Sequence, residues 1–144
     1  MKSMHRKSAG FTLVELVVAM VIAAILAAIA IPAYSSYVLQ AHRTDAKTAL
    51  LDLASLEERY FSVNNAYTNV ASNLGYTAFP QSVGSGYYTV TVAVTAPATN
   101  TLATYTLTAN AVGYQLKDTT CSWLALNNAG QQSSSDTVNN SCWH

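Results

Sequence analysis

The chain of 144 residues carries seven Lys and Arg against seven Asp and Glu, and only 10% of its side chains are charged. That length allows one small globular head once a long apolar helix is set aside. The zero balance hides an uneven distribution: Lys2, His5, Arg6 and Lys7 precede the first apolar run, and without Lys2, Arg6 and Lys7 the remainder stands at 4 − 7 = −3, a sign that disfavours general attraction to phosphate.

The first predicted element is a helix that begins inside an apolar run. From Phe11 to Tyr34 the only ionisable side chain before the tyrosine is Glu15, and Leu16 to Ile31 is apolar without a break. With its flanks this stretch reaches the roughly 20 residues needed to cross a bilayer. The basic cluster ahead of it keeps the leader cytoplasmic and sends the C-terminal part outward. A conventional secretory signal, cut near Ala30-Ile31-Pro32-Ala33, is the alternative. It is opposed by Glu15 inside the run and by helical periodicity that continues well past it. A lone carboxylate in that position costs several kcal/mol if left unmatched, so it must be neutralised, wetted at the interface or paired with a cation. The many alanines, among them Ala19, Ala23, Ala27 and Ala30, leave a slim helix suited to close bundling. Pro32 removes a backbone donor and is expected to kink the helix or loosen the turn before it.

Beyond Pro32 the helix turns amphipathic. Ala46, Ala49, Leu50, Leu53, Leu56 and Tyr60 recur at steps of three and four, with Asp45, Asp52 and Arg59 on another face. This stripe needs a cover, and a head domain supplies one; a coiled-coil pair is the alternative, with too short a heptad signal to support it. Residues 62–86 read as an ordered loop with a short helical turn, Asn65 and Gly75 serving as turn formers. After it the period becomes two: Tyr88, Val90, Val92 and Val94, then Tyr105, Leu107 and Ala109, then a short run at Tyr114 and Leu116. The expectation is an α+β fold with three or four antiparallel strands laid on the amphipathic helix.

Cys121 and Cys142, with no companion at zinc spacing, favour a disulfide made in an oxidising compartment over a metal site. Such a bond closes a loop of about 20 residues, for roughly 3 kcal/mol of stabilisation. His42 and His144 stand alone and read as solvated. No nucleophile–base order, zinc-protease helix or phosphate-binding glycine loop is present, so no enzyme activity and no cofactor is expected.

The run Arg6-Lys7-Ser8-Ala9-Gly10-Phe11-Thr12-Leu13-Val14-Glu15-Leu16 resembles the class III signal of type IV pilins and pseudopilins. The resemblance implies that a prepilin peptidase cuts between Gly10 and Phe11 and that the new Phe11 amine is N-methylated. It further implies that Glu15 of one subunit meets the Phe11 amine of a neighbour during assembly, and that Pro32 marks a stretch that unwinds in the pilus. Glu57-Glu58-Arg59-Tyr60-Phe61 with Asn64-Asn65-Ala66-Tyr67-Thr68, and Cys121 to Gln131 with Cys142-Trp143, are similar to the PilE-like minor pilins. The implied layout is a leader over 1–10, a long helix over 11–61 that spans the membrane at about 11–33, and a head over 62–144 with a C-terminal disulfide loop.

The implied role is a structural subunit, a minor pilin, of a filament serving motility, adhesion or DNA uptake. Its implied partners are other pilin subunits, the prepilin peptidase, the inner-membrane assembly machinery and, before assembly, the lipid bilayer. A DNA-binding competence pilin and a type II secretion pseudopilin are the alternatives. Lys117 is the only basic residue after residue 61, which disfavours DNA as a partner.

Overall fold

A computed structural model describes residues 10–97 and 102–144; the basic leader, with Lys2, Arg6 and Lys7, lies outside the described residues. The chain divides into two compact units at Tyr37 and Val38. One helix, α1, runs over Leu13–Asn64 and contributes to both. It continues through Pro32, whose missing amide leaves the Ala28 carbonyl without its helical donor. It ends where Asn65 takes a left-handed conformation at φ 51° and returns its amide to the Phe61 carbonyl.

Among the described residues of the first unit, the helix is the one regular element and follows a non-helical Gly10–Thr12. Its apolar stretch has a mean hydropathy of 2.9 over 18 residues, and none of that stretch is buried within the chain. In the second unit α1 packs on a sheet of five antiparallel strands in the order β1-β2-β3-β4-β5: Gln81–Val83, Tyr88–Thr95, Thr104–Ala111, Trp123–Asn127 and Gln132–Ser134. The core joins Ala46, Leu50 and Leu53 of the helix to Tyr88 and Val90 of β2, Leu107 and Ala109 of β3, and Leu124 and Leu126 of β4. Strand register places these on one face: Val90 pairs with Ala109, Ala109 with Leu124, and Leu107 with Leu126. Threonines at 89, 91, 104 and 106 take the alternate positions, which is why the period-two signal is so regular.

The sheet has five strands where three or four are expected from the sequence. The strands that no period-two run announces are β4, inside the Cys121–Gln131 stretch, and the three-residue edges β1 and β5. Runs that short carry no alternation to read. The run at Tyr114 and Leu116 is not a strand: Gly113–Lys117 forms a 3-10 helix that starts from Gly113 at φ +58°. It turns Gln115 inward and leaves Tyr114 and Leu116 exposed, the reverse of the expected burial. Residues 62–86 hold a 3-10 turn at Ala71–Leu74, whose Leu74 enters the core, followed by β1. The last hairpin is fixed by Asn127, whose Oδ1 accepts the amides of Ala129 and Gln131.

Candidate functional site

The N-terminal segment is described by itself. Gly10 and Phe11 precede the helix in non-helical backbone, and Phe11 is 77% exposed. Thr12 sets the start of α1: its Oγ1 accepts the Glu15 amide at 3.2 Å, and its carbonyl accepts the Leu16 amide, also at 3.2 Å. Thr12-Leu13-Val14-Glu15 is therefore the spacing of a capping box, with an acid in the first turn where the helix dipole favours negative charge. This signal stands in the sequence and gives Glu15 a local reason for its place besides any pairing with an amine. Immediately after Glu15, Leu16, Val17, Val18, Met20, Val21 and Ile22 project around the helix with at least half of each side chain exposed. A helix apolar all round belongs in lipid or among other helices.

The second unit has a polar hub under its core. Gln115 is fully buried; its Oε1 accepts from His42 Nδ1 at 3.0 Å. Its Nε2 lies within donating distance of the Leu39 carbonyl at 3.0 Å, Asp118 Oδ2 at 3.1 Å and the Tyr88 hydroxyl at 3.2 Å. Asp118 also takes a two-pronged ion pair from Arg43, at 2.7 and 2.9 Å, and accepts the Cys121 amide. Tyr88 donates in turn to the Cys121 carbonyl, and burial pushes its phenol pKa up. His42 stacks on Tyr87 with ring centroids 3.9 Å apart. Helix residues 39–43, β2, the 3-10 helix and the first cysteine are thus tied by one network. Sequence reading leaves His42 as a solvated residue and passes over Gln115; burial of an amide with four partners has no sequence period to reveal it.

Cys121 and Cys142 are joined by a disulfide with Cα atoms 5.6 Å apart. The segment between them is organised by Asp136, whose carboxylate accepts the amides of Val138, Asn139 and Ser141 and the Ser141 hydroxyl. Those bonds hold its pKa below the usual carboxylate range. Trp143 is buried and donates Nε1 to the Ser133 carbonyl of β5. On the helix, Asp45 accepts the amide and hydroxyl of Ser85, which lowers its pKa likewise. Gly84, at φ +53°, makes that approach possible, because a side chain there would strike the Asp45 carboxylate.

Among the described residues no group of three or more His, Cys, Asp or Glu is placed to hold a metal ion. The exposed face of the 3-10 helix carries Lys117 4.4 Å from the centre of the Tyr114 ring. Of the other Lys and Arg residues in this unit, Arg43 is committed to Asp118, Lys47 has its pKa lowered by burial and by Arg43, and Arg59 is exposed on α1.

Comparison with known proteins divides the chain in a similar way. Residues 5–31 match the prokaryotic N-terminal methylation motif, and residues 32–125 match the family described as type IV minor pilin ComP, DNA uptake sequence receptor. The chain is 36% identical over 70 residues to the type IV major pilin protein PilA of Myxococcus xanthus (strain DK1622), covering 49% of this chain and 32% of PilA. It is 32% identical over 105 residues to the fimbrial protein EcpC of Eikenella corrodens, covering 72% of this chain and 65% of EcpC. The matched stretch thus spans about a third of one relative and just under two-thirds of the other.

Proposed function

The chain belongs to the type IV minor pilin family, and from that premise we propose that it is a structural subunit of a type IV pilus, held in the inner membrane before assembly and bundled through α1 afterwards. The observation that carries this reading is the apolar first half of α1, exposed on every side and capped by Thr12 and Glu15 directly after a Gly–Phe bond. An exposed, non-helical Gly10-Phe11 bond suits cleavage by a prepilin peptidase, with the new Phe11 amine as the site of methylation. Once freed, that amine lies about one helical turn from Glu15 along its own chain. The same amine on a neighbouring subunit neutralises Glu15 inside a bundle, where an unmatched carboxylate is costly. Pro32, with one helical hydrogen bond already missing, is the point where α1 yields most readily as subunits pack. In this reading the leader remains cytoplasmic, the assembly machinery draws the helix from the bilayer, and the second unit faces outward.

The test has two arms. Mass spectrometry of the cell-derived protein is expected to find a methylated Phe11 start; a start near Ala33 would return the chain to conventional secretion. Glu15→Val is expected to leave cleavage intact and to abolish entry into sheared filaments, and normal incorporation would remove the pairing.

The family description supports a second reading, DNA uptake, and the Tyr114–Lys117 pair offers an exposed cation beside an aromatic face. The charge inventory weighs against strong binding by this chain alone, since Arg43 is committed to Asp118 and the chain without Lys2, Arg6 and Lys7 carries a formal charge of −3. A gel shift with the full chain in detergent at two salt concentrations, repeated for Lys117→Ala, separates the readings. Salt-sensitive binding lost in the variant favours uptake, and no shift at low salt leaves the structural role.

A further inference from the structure

Glu57 continues the core stripe of Ala46, Leu50 and Leu53 at steps of four, three and four, and like them it is 0% exposed. Its Oε2 accepts the Thr68 amide at 3.1 Å; its Oε1 is buried without a hydrogen-bond partner among the described residues. A carboxylate so placed gives up its hydration for one amide bond, whereas a carboxylic acid loses far less. The groups that face it do not help it to ionise: Glu58 follows it on α1, Tyr67 comes from the loop and Tyr105 from β3.

Thr68 passes the grip on to the rest of the loop. Its Oγ1 accepts the Val70 amide at 3.1 Å and the Asn73 side-chain amide at 3.2 Å, and Asn73 also reaches the Tyr60 hydroxyl at 3.3 Å. From there the chain enters the Ala71–Leu74 turn, anchored by Leu74 in the core. Releasing the Thr68 amide therefore frees a connected set of bonds and brings water to the carboxyl group.

We propose that Glu57 and the Thr68 amide form a proton-operated clasp on residues 65–75: with Glu57 neutral the segment lies closed on α1, and with Glu57 ionised it opens to hydrate the carboxylate. Burial, the largest influence, raises the Glu57 pKa; the Thr68 amide lowers it in part and Glu58 raises it again. Rising pH therefore works against the closed form. The clasp is a property of the second unit and does not depend on the role assigned to the chain.

The experiment follows amide exchange of Thr68, Val70 and Asn73 in the full chain in detergent micelles, from about pH 4 to about pH 8, corrected for the intrinsic pH dependence of exchange. Protection at these amides is expected to fall roughly tenfold as Glu57 ionises, while Leu107 and Ala109 of β3 keep theirs. In Glu57→Gln it is expected to stay level, and Glu58→Gln is expected to follow the parent protein. Level protection in the parent protein overturns the clasp, as does an equal fall in Glu57→Gln. Should that variant not fold, carboxyl-carbon NMR of the parent protein decides: a fall that coincides with the Glu57 titration supports the clasp, and a fall at a different pH overturns it.

Discussion

Residues 13–37 and residues 38–64 of α1 share one backbone pattern and meet opposite demands. The first stretch buries none of its apolar window within the chain, whereas the second hides Ala46, Leu50 and Leu53 completely against β2, β3 and β4. Helix propensity alone holds neither half firmly in water, because most helical stability in proteins comes from packing of a face. The second half receives that packing from its own sheet. Under the proposed role the first receives it from lipid or from other subunits, so a substitution there reads out in assembly and one in the second half reads out in folding.

The largest expected effect tests that division directly. Leu53→Ala removes a fully buried side chain from the centre of the head and is expected to cost about 4 kcal/mol in urea unfolding of the full chain in micelles. Val18→Ala should move the same transition by less than about 0.5 kcal/mol. Equal shifts would break the comparison.

The disulfide comes next: replacing Cys121 and Cys142 with serine is expected to cost about 3 kcal/mol, with residues 127–144 losing exchange protection before β2 and β3. Uniform loss would mean that the C-terminal loop and the sheet open together. Arg43→Met is expected to cost about 2 kcal/mol, because Asp118 is left largely buried with its Gln115 and Cys121 contacts but no cation. The same change should not alter the proposed cleavage after Gly10, and measuring both sharpens the separation of folding from processing.

The smallest effect has the opposite sign. Because the Glu57 pKa is raised, the folded head holds that proton more tightly than the unfolded chain does. The resulting stabilisation is complete below the ordinary glutamate pKa and is lost as pH climbs through the raised value. Glu57→Gln should therefore be more stable than the parent protein by about 1 kcal/mol near neutral pH and lose this pH dependence in thermal unfolding.

The α+β frame was legible because its signals are periodic: steps of three and four through Ala46, Leu50 and Leu53, and steps of two through Tyr88, Val90, Leu107 and Ala109. What escaped is aperiodic or wears the wrong chemistry. Glu57 occupies a stripe position that hydropathy assigns to the surface, while Leu56 and Tyr60, taken for core, are only partly buried. Gln115 sits in a turn whose alternation imitates a strand, and its burial follows from partners at Leu39, His42, Tyr88 and Asp118 that lie far away in sequence. The spacing of Thr12 and Glu15 could have been read as a cap from four letters alone. Glu15 stood out in the sequence by its charge; the network behind Cys121 had no such mark.

Every strand of the sheet lies beside its predecessor in the chain, from β1 through β5. Each pairing therefore closes over a connection of four (84–87, 128–131) to eleven (112–122) residues, and hairpins can form in succession without waiting for distant segments to meet. The longest closure is left to α1, which meets the sheet across residues 65–80. A head that matures in that sequence shows its bare apolar face only until one helix lands, which narrows the interval in which unfinished chains could stick to each other.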